Sequence, residues 1–307
     1  MNMSDPNNMV CDLETGVCGV AEDEPMEVID FNHKEKTVTM YYVTDPICSH
    51  CWALEPVLNR FVEEYDHYFK TETLMGGLLP SWHGFSDGGN GIQKPSDVAE
   101  HWKEVGEHSR MPIDGSLWYS DPILSSYPPS RVFKVIQQNH AGKEIDFLRN
   151  AREAVFAFNR NIGQDDVLIE IVNKTGLHGK DIVEKASEQS AQDLLEEDFD
   201  MVAKLGVRGF PTIILMNEEN KGVKIVGARS IEIYEAALKQ VLNEEPIPKK
   251  KASLSRLLKP GHILFSREIE VMYDIQQSKV TEFVQEELAE DTYQLNEMMN
   301  EVYIKRN

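Results

Sequence analysis

One stretch of the sequence, residues 37–62, decides the fold, and it consists of TVTMYYVTDPICSHCWALEPVLNRFV. Its first seven residues, 37–43, are mostly β-branched or aromatic, which predicts a buried strand. The strand pattern ends at the Asp-Pro pair that starts at Asp45, and apolar residues then recur at helical spacing. A helix is therefore expected to begin near Cys48, so that Cys48 and Cys51 lie where a strand gives way to a helix.

The CxxC spacing at this junction predicts that the two thiols form a redox-active pair. A thiolate at a helix N-terminus is stabilised by free backbone N–H groups and by the helix dipole. Cys48 is thus expected to be the exposed, reactive sulfur, and Cys51 the partly buried thiol that closes a disulfide with it. His50 between them can donate a hydrogen bond or a positive charge to the Cys48 thiolate, which lowers its pKa and stabilises the reduced pair. The alternatives are two buried thiols without a role and a solvated His50 with little influence.

Helical patterns dominate the chain downstream until strand patterns return. Residues 69–75 predict a second strand, and the Gly- and Pro-rich residues 80–95 predict a loop. Residues 96–206 are mainly helical in pattern. Two short β-rich runs within 212–226 have the signature of a hairpin, and a helix is expected near 231–242. The order is therefore strand–helix–strand, a long helical block, and strand–strand–helix.

Pro211 opens the third predicted strand, directly after a Gly-containing turn in the segment GVRGFPT. A proline that starts a buried strand after a tight turn is a candidate for a cis peptide bond. A cis bond at this point would expose the backbone of Phe210 to an incoming extended chain, such as a substrate or partner. An ordinary trans proline is the alternative.

The charge balance, the lengths of the apolar runs and the number of cysteines exclude several classes of protein. The 307 residues include 31 Lys and Arg and 52 Asp and Glu, so the net charge is −21. Such a charge repels phosphate backbones, which argues against a nucleic-acid partner. No apolar run approaches the length of a membrane span, so no membrane partner is expected. Four cysteines in a chain of this length are too few for a disulfide scaffold.

The first 30 residues point to the compartment. They contain eight acidic residues and no Lys or Arg, whereas a secretory signal needs a basic start followed by an apolar stretch. The protein is therefore expected in the cytoplasm, where thiols are normally reduced and a close cysteine pair favours redox or metal chemistry over a structural disulfide.

The combination of CxxC, a strand-start proline and this strand order resembles the thioredoxin fold of the disulfide oxidoreductase DsbA family. The resemblance implies an α/β, thioredoxin-like fold with an inserted helical domain (DsbA-like), in which Cys48 and Cys51 face a cis Pro211.

Apolar stripes near the C-terminus, including Leu295 and Val302, predict a helical C-terminal extension. The expected organisation is an acidic, mostly disordered tail (1–34), the first half of the thioredoxin domain (35–79), the inserted helical domain (80–206), the second half of the thioredoxin domain (207–243), a linker (244–251) and the helical extension (252–307).

A narrower resemblance rests on residues 45–56, DPICSHCWALEP, and on the segments 147–150, 165–171 and 268–274. They are similar to the ClpXP adaptor family SpxH, also called YjbH, over about residues 36–290. The resemblance implies an adaptor that binds the transcription regulator Spx and promotes its degradation by the protease ClpXP. In such an adaptor the dithiol is either a vestige that is retained without turnover or a redox switch on adaptor activity.

The alternative function is a cytosolic dithiol–disulfide oxidoreductase or isomerase. In that mechanism Cys48 attacks a substrate disulfide, Cys51 resolves the mixed disulfide, and Pro211 shapes the docking site. His50 would adjust the reactivity of the pair.

No cofactor is expected, and zinc is the disfavoured alternative. The SpxH family resemblance implies an N-terminal segment with Cys and His residues that is associated with zinc. Here that segment holds Cys11 and Cys18, with six residues between them and no histidine before His33. A four-ligand site formed by these two cysteines with Cys48 and Cys51 fits no usual structural zinc spacing.

Overall fold

The computed structural model describes residues 38–85 and 91–307. The expected disordered tail, residues 1–34, lies outside the described residues, together with Cys11 and Cys18 and with residues 86–90 of the predicted loop.

The thioredoxin-like part contains a four-stranded mixed sheet in the order β2-β1-β3-β4. β1 pairs in parallel with β2 and antiparallel with β3, and β3 continues antiparallel into β4. This is the sheet that the two β-rich halves of the sequence predict. The strands are β1 (Val38–Thr44), β2 (Phe69–Met75), β3 (Thr212–Asn217) and β4 (Gly222–Val226).

Two helices cover one face of the sheet, α1 (Ser49–Tyr65) and α9 (Ile231–Leu242). Leu54, Leu58 and Phe61 of α1 pack with apolar side chains of the strands and of α9 in one buried cluster. Pro56 is the eighth residue of α1 and has no N–H to donate to the carbonyl of Trp52, so the helix lacks one backbone hydrogen bond there.

Seven helices form in the described residues between β2 and β3, and they share a second, larger apolar core. Trp52 of α1 belongs to this core, so the start of α1 is packed on both sides. The expected thioredoxin-like fold, with helices inserted between β2 and β3, is confirmed. The seven helices are α2 (Pro95–Ser109), α3 (Leu117–Ser120), α4 (Tyr127–Asn139), α5 (Lys143–Arg152), α6 (Asp165–Lys174), α7 (Gly179–Ala186) and α8 (Gln189–Lys204).

The C-terminal segment, residues 252–307, is helical over Ser266–Tyr273 and Val280–Glu287, but its last part, which was expected to be helical as well, forms strands. It contains a three-stranded antiparallel sheet in the order β5-β7-β6. Met299 and Asn300 both have positive φ, at 48° and 63°, and form the two-residue turn between β6 and β7. That backbone matches the twist of a tight hairpin and ends any helix. The elements are α10 (Leu254–Leu257), β5 (Ile263–Phe265), α11 (Ser266–Tyr273), α12 (Val280–Glu287), β6 (Tyr293–Met298) and β7 (Glu301–Arg306).

Three arginines of the body anchor this segment through carboxylates. Arg110, the C-cap of α2, donates two hydrogen bonds of 2.7 and 2.8 Å to Glu270 and two of 2.8 and 2.9 Å to Glu301. Arg60 of α1 contacts Asp274 at 2.5 Å. The third, Arg149, belongs to the site described below. Among the described helices, none combines the length and the hydropathy that a membrane crossing requires.

Candidate functional site

The CxxC motif lies at the junction of β1 with α1, as expected. Cys48 is the N-cap of α1, and its sulfur accepts a hydrogen bond from the backbone N–H of Cys51, with an N···Sγ distance of 3.2 Å. Both cysteines are free thiols. The two candidate sulfurs are therefore brought together at a helix N-terminus.

Cys48 is only 5% exposed and Cys51 is fully buried, so the expectation of an exposed Cys48 is wrong. The inserted helices pack over the start of α1. The indole N–H of Trp52 donates to the carbonyl of Pro112 at 3.0 Å, and its ring stacks on Phe156 at 5.8 Å. The dithiol is enclosed because α1 lies between two apolar cores.

The acidities of the two thiols are the reverse of the expected order. Burial raises the pKa of Cys48 well above its ordinary value, and the hydrogen bond with Cys51 raises it further. Burial opposes ionisation of Cys51 as well, but the hydrogen bond from Cys48, the positive charge of Arg152 and the hydroxyl of Thr44 together lower the pKa of Cys51. The thiolate of the reduced pair is therefore favoured at the inner sulfur.

His50 is exposed and faces α2 rather than the thiols. Its ring lies 5.4 Å from that of His101 in an edge-on arrangement. Desolvation, together with the nearby His101 and His108, lowers the pKa of His50. Within the described residues no hydrogen bond joins His50 to Cys48, so a role for His50 in adjusting the thiols stays a prediction.

Pro211 lies at the same end of the sheet as the motif. The Phe210–Pro211 peptide bond is cis, as expected. Thr212 pairs with Val43, so Pro211 flanks the end of β1, from which the chain continues to Cys48. The use of Phe210 and Pro211 as a docking site stays a prediction.

Asp45 holds the loop that precedes the motif, a role that its place in the sequence does not reveal. Its buried carboxylate accepts hydrogen bonds from the N–H of Ile47 at 3.1 Å, the N–H of Leu78 at 2.8 Å and the hydroxyl of Ser126 at 2.8 Å. Burial raises the pKa of Asp45 to about 6. One side chain thus joins the motif loop to the loop after β2 and to the N-cap of α4.

Arg152 lies beneath the motif and is not among the predicted site residues. It is 1% exposed and donates to the Glu55 carboxylate at 2.8 Å, to the Asp45 carbonyl at 3.2 Å and to the Thr44 hydroxyl. Residues 153–157 continue α5 as a π-helical turn. Such turns are frequent at functional sites.

Arg149 extends this arrangement to the C-terminal segment. Its guanidinium contacts Glu55, Glu153 and Glu268, each at 2.7 Å, and lies 4.8 Å from the centre of the Trp52 ring. Because Glu268 belongs to α11, the body and the C-terminal segment share one buried group of charges.

A signal for these residues exists in the sequence. Glu55 falls on the otherwise apolar face of α1, and Arg149 and Arg152 fall three residues apart on a largely buried helix. A buried charge needs a partner of opposite sign, so each of the three side chains could have been expected to form an ion pair, although the sequence does not identify the partner.

A cavity of about 490 Å³ lies beside these charges, between α1, α5 and the start of the C-terminal segment. Its lining includes the polar side chains of Tyr42, Arg149 and Arg152 and the apolar side chains of Leu254 and Met272. Its volume falls within the range of small-molecule pockets.

The described residues hold no group of three or more His, Cys, Asp or Glu side chains that could bind a metal ion. Cys11 and Cys18 lie outside those residues, so the zinc alternative is not tested.

The sequence and the structure are both similar to known proteins. The sequence model of the thioredoxin family matches residues 41–236. The ClpXP adapter protein SpxH of Halalkalibacterium halodurans is 30% identical over 272 residues, which cover 88% of each chain. The ClpXP adapter protein SpxH of Bacillus subtilis is 29% identical over 252 residues, which cover 81% of this chain and 82% of that one.

Among solved structures, the cytosolic disulfide reductase DsbM of Pseudomonas aeruginosa has the same fold, with a TM-score of 0.53 and 17% identity. The match covers 67% of this chain and 98% of the reductase. An alignment that covers 88% of a 307-residue chain has to extend beyond residue 236, where the thioredoxin match ends. The similarity to the adapters therefore includes part of the C-terminal side of the chain.

Proposed function

The chain belongs both to the thioredoxin family and to the ClpXP adapter protein SpxH family, and we propose that it is an adaptor that binds the transcription regulator Spx and promotes its degradation by ClpXP. The observation that carries this proposal is the extent of the similarity to the adapters. It runs past the thioredoxin region, whereas the disulfide reductase is matched almost completely by 67% of this chain. A cytoplasmic location follows from these partners.

The proposed mechanism is presentation of Spx to the protease. Binding of Spx to a fixed surface of the adaptor would order or expose its C-terminal tail for the unfoldase, and this requires no chemical step from the adaptor. The net charge of −21 suits a basic surface on the partner, because complementary charge speeds encounter and suppresses wrong partners.

The enclosed dithiol supports binding over turnover. Attack on a protein disulfide requires that the substrate reach the sulfur of the nucleophile, and reactive cysteines are partially exposed. Cys48 is 5% exposed, and the pKa of its thiol is raised. The oxidoreductase alternative is therefore not favoured.

The direct test is degradation of purified Spx by purified ClpXP, with and without this protein. We expect degradation to become about tenfold faster or more, because tethering raises the local substrate concentration. A ClpXP substrate with its own degradation tag is the control, and its rate should not change. Equal rates of Spx loss with and without the protein would contradict the adaptor function.

A further inference from the structure

A continuous set of hydrogen-bonded charges runs from the dithiol to the C-terminal segment. Thr44 and Asp45 contact the Cys51 sulfur, and both also accept hydrogen bonds from Arg152. Arg152 shares the two oxygens of Glu55 with Arg149, at 2.8 and 2.7 Å. The next contact from Arg149 crosses to the C-terminal segment. We call Arg152, Glu55, Arg149, Glu153 and Glu268 the buried ion network.

Glu268 is the member of this network that belongs to α11. It accepts two hydrogen bonds from Arg149, of 2.7 and 2.8 Å, and a third of 3.0 Å from the backbone N–H of Phe265, the N-cap of α11. Its carboxylate is therefore both the cap of α11 and the group through which α11 contacts the network.

The network contains three carboxylates and two guanidinium groups, so it carries one excess negative charge when all five groups are ionised. The carboxylates of Glu55, Glu153 and Glu268 are all buried, as is Arg152. Charges interact strongly at such sites because little solvent screens them. A thiolate at Cys51 adds a second excess negative charge next to Arg152 and competes with the network for it.

We propose that the oxidation state of the Cys48–Cys51 pair is coupled to the packing of α11 against the body. Closing the disulfide tightens α11, and reducing it to the dithiol loosens α11. The disulfide carries no charge, so the positive charge of Arg152 then neutralises only the carboxylates of the buried ion network. The carboxylate of Glu268 therefore experiences less electrostatic repulsion. This coupling is a property of the fold and does not depend on the adaptor function.

The oxidation step balances with hydrogen peroxide as the oxidant, a molecule small enough for an enclosed site. A thiolate attacks one peroxide oxygen, the O–O bond breaks, and a sulfenic acid forms with loss of hydroxide. The second sulfur then attacks the sulfenic sulfur, so that the S–S bond forms and the S–O bond breaks. In total, the pair loses two electrons and two protons, and peroxide becomes two waters.

The test is hydrogen exchange with mass spectrometry on the full chain, reduced and oxidised, in a Cys11→Ser, Cys18→Ser background. Oxidation with hydrogen peroxide is verified by intact mass. We expect the amides of α11 to exchange about threefold more slowly or more in the oxidised form, which corresponds to roughly 0.7 kcal/mol. Peptides from α7 are the internal reference. Treatment of the oxidised sample with dithiothreitol should restore the faster exchange, which separates the disulfide from methionine oxidation.

Two variants of α11 locate the coupling. Glu268→Gln keeps the shape and the capping acceptor but removes the charge, so the difference between the redox forms should shrink to less than about 1.5-fold. Glu270→Gln is the matched control, because Glu270 is equally buried on α11 but pairs with Arg110 outside the network. It should keep the difference.

Three results would overturn the proposal: equal exchange of α11 in both redox forms, faster exchange in the oxidised form, or a difference that survives Glu268→Gln. Because exchange is measured without Spx or ClpXP, these outcomes are separate from failure of the adaptor function.

Discussion

Replacement of Arg152 by methionine should destabilise the fold and raise the pKa of Cys51, because one buried guanidinium serves both. The guanidinium donates to Glu55 at 2.8 Å, to the Asp45 carbonyl at 3.2 Å and to Thr44. Methionine keeps much of the volume and packs adaptably, so the change removes charge and donors more than it removes contacts.

The expected loss follows from burial rather than from distance. Removal of one partner of a buried ion pair costs about 3–5 kcal/mol. Glu55 keeps Arg149 at 2.7 Å, which places the expected loss at about 3 kcal/mol, the lower end of that range. Arg160→Met is the matched control. The Arg160–Glu170 contact is 2.6 Å, yet its side chains are 33% and 59% exposed, so its loss should cost less than about 1 kcal/mol.

Urea unfolding followed by circular dichroism measures both losses, provided that the m-values agree with the parent protein. In a Cys11→Ser, Cys18→Ser background, the ultraviolet absorbance of the thiolate, followed against pH, reports the titration of the buried Cys48–Cys51 pair without requiring access to the sulfurs. Arg152→Lys should recover part of the pKa effect, because it returns the charge without the planar donor array. Arg152 does not have this double role if Arg152→Met costs no more than Arg160→Met, or if the thiolate titrates as in the parent protein.

Three further predictions concern other parts of the molecule. Double replacement of Cys48 and Cys51 by serine should leave Spx degradation by ClpXP unchanged, because presentation needs a surface and not a thiol; a loss of degradation in a folded variant would contradict this. The carboxyl of Asp45 has a pKa of about 6 in the fold and an ordinary pKa of 3.8. Its protonated form therefore stabilises the fold at low pH, and this stabilisation of about 3 kcal/mol is lost as the pH rises through about 6. Asp45→Asn should remove that part of the pH dependence in urea unfolding between about pH 4 and 7. Asn300→Val, with a β-branched residue at a φ of 63°, should destabilise the chain by about 1–2 kcal/mol in the same assay, while Asn300→Gly should not.

The body of the fold was predictable because its signals are local. The bounds of β2 and α9 agree with their sequence patterns, since a run of β-branched residues or a helical apolar stripe is complete within one segment. The last hairpin was missed for the same reason. Leu295 and Val302 also fit a helical stripe, and the turn between β6 and β7 uses Met299 and Asn300 without the glycine that usually marks such turns.

The candidate site likewise has features that the local sequence predicts and features that it does not. The CxxC motif at a helix N-terminus and the cis Pro211 follow from short stretches of sequence. Burial of Cys48 does not, because it depends on the inserted helices packing over α1. Nor do the partners of Arg152 and Arg149, since Glu55 lies 97 residues away from the first and Glu268 lies 119 residues away from the second.

The position of Arg152 bears on why an adaptor would keep a thioredoxin dithiol. In an oxidoreductase the outer sulfur has to be the stabilised thiolate, because that sulfur meets the substrate. Here the inner sulfur of Cys51 has the lowered pKa, and the cation that lowers it also pairs with Glu55. Both sulfurs are also buried, with Cys48 5% exposed and Cys51 fully enclosed, so the pair is poorly placed to attack a disulfide of a partner protein. Under the coupling proposed above, its oxidation state affects the packing of the C-terminal segment instead, because Glu55 and Arg149 connect Arg152 with Glu268.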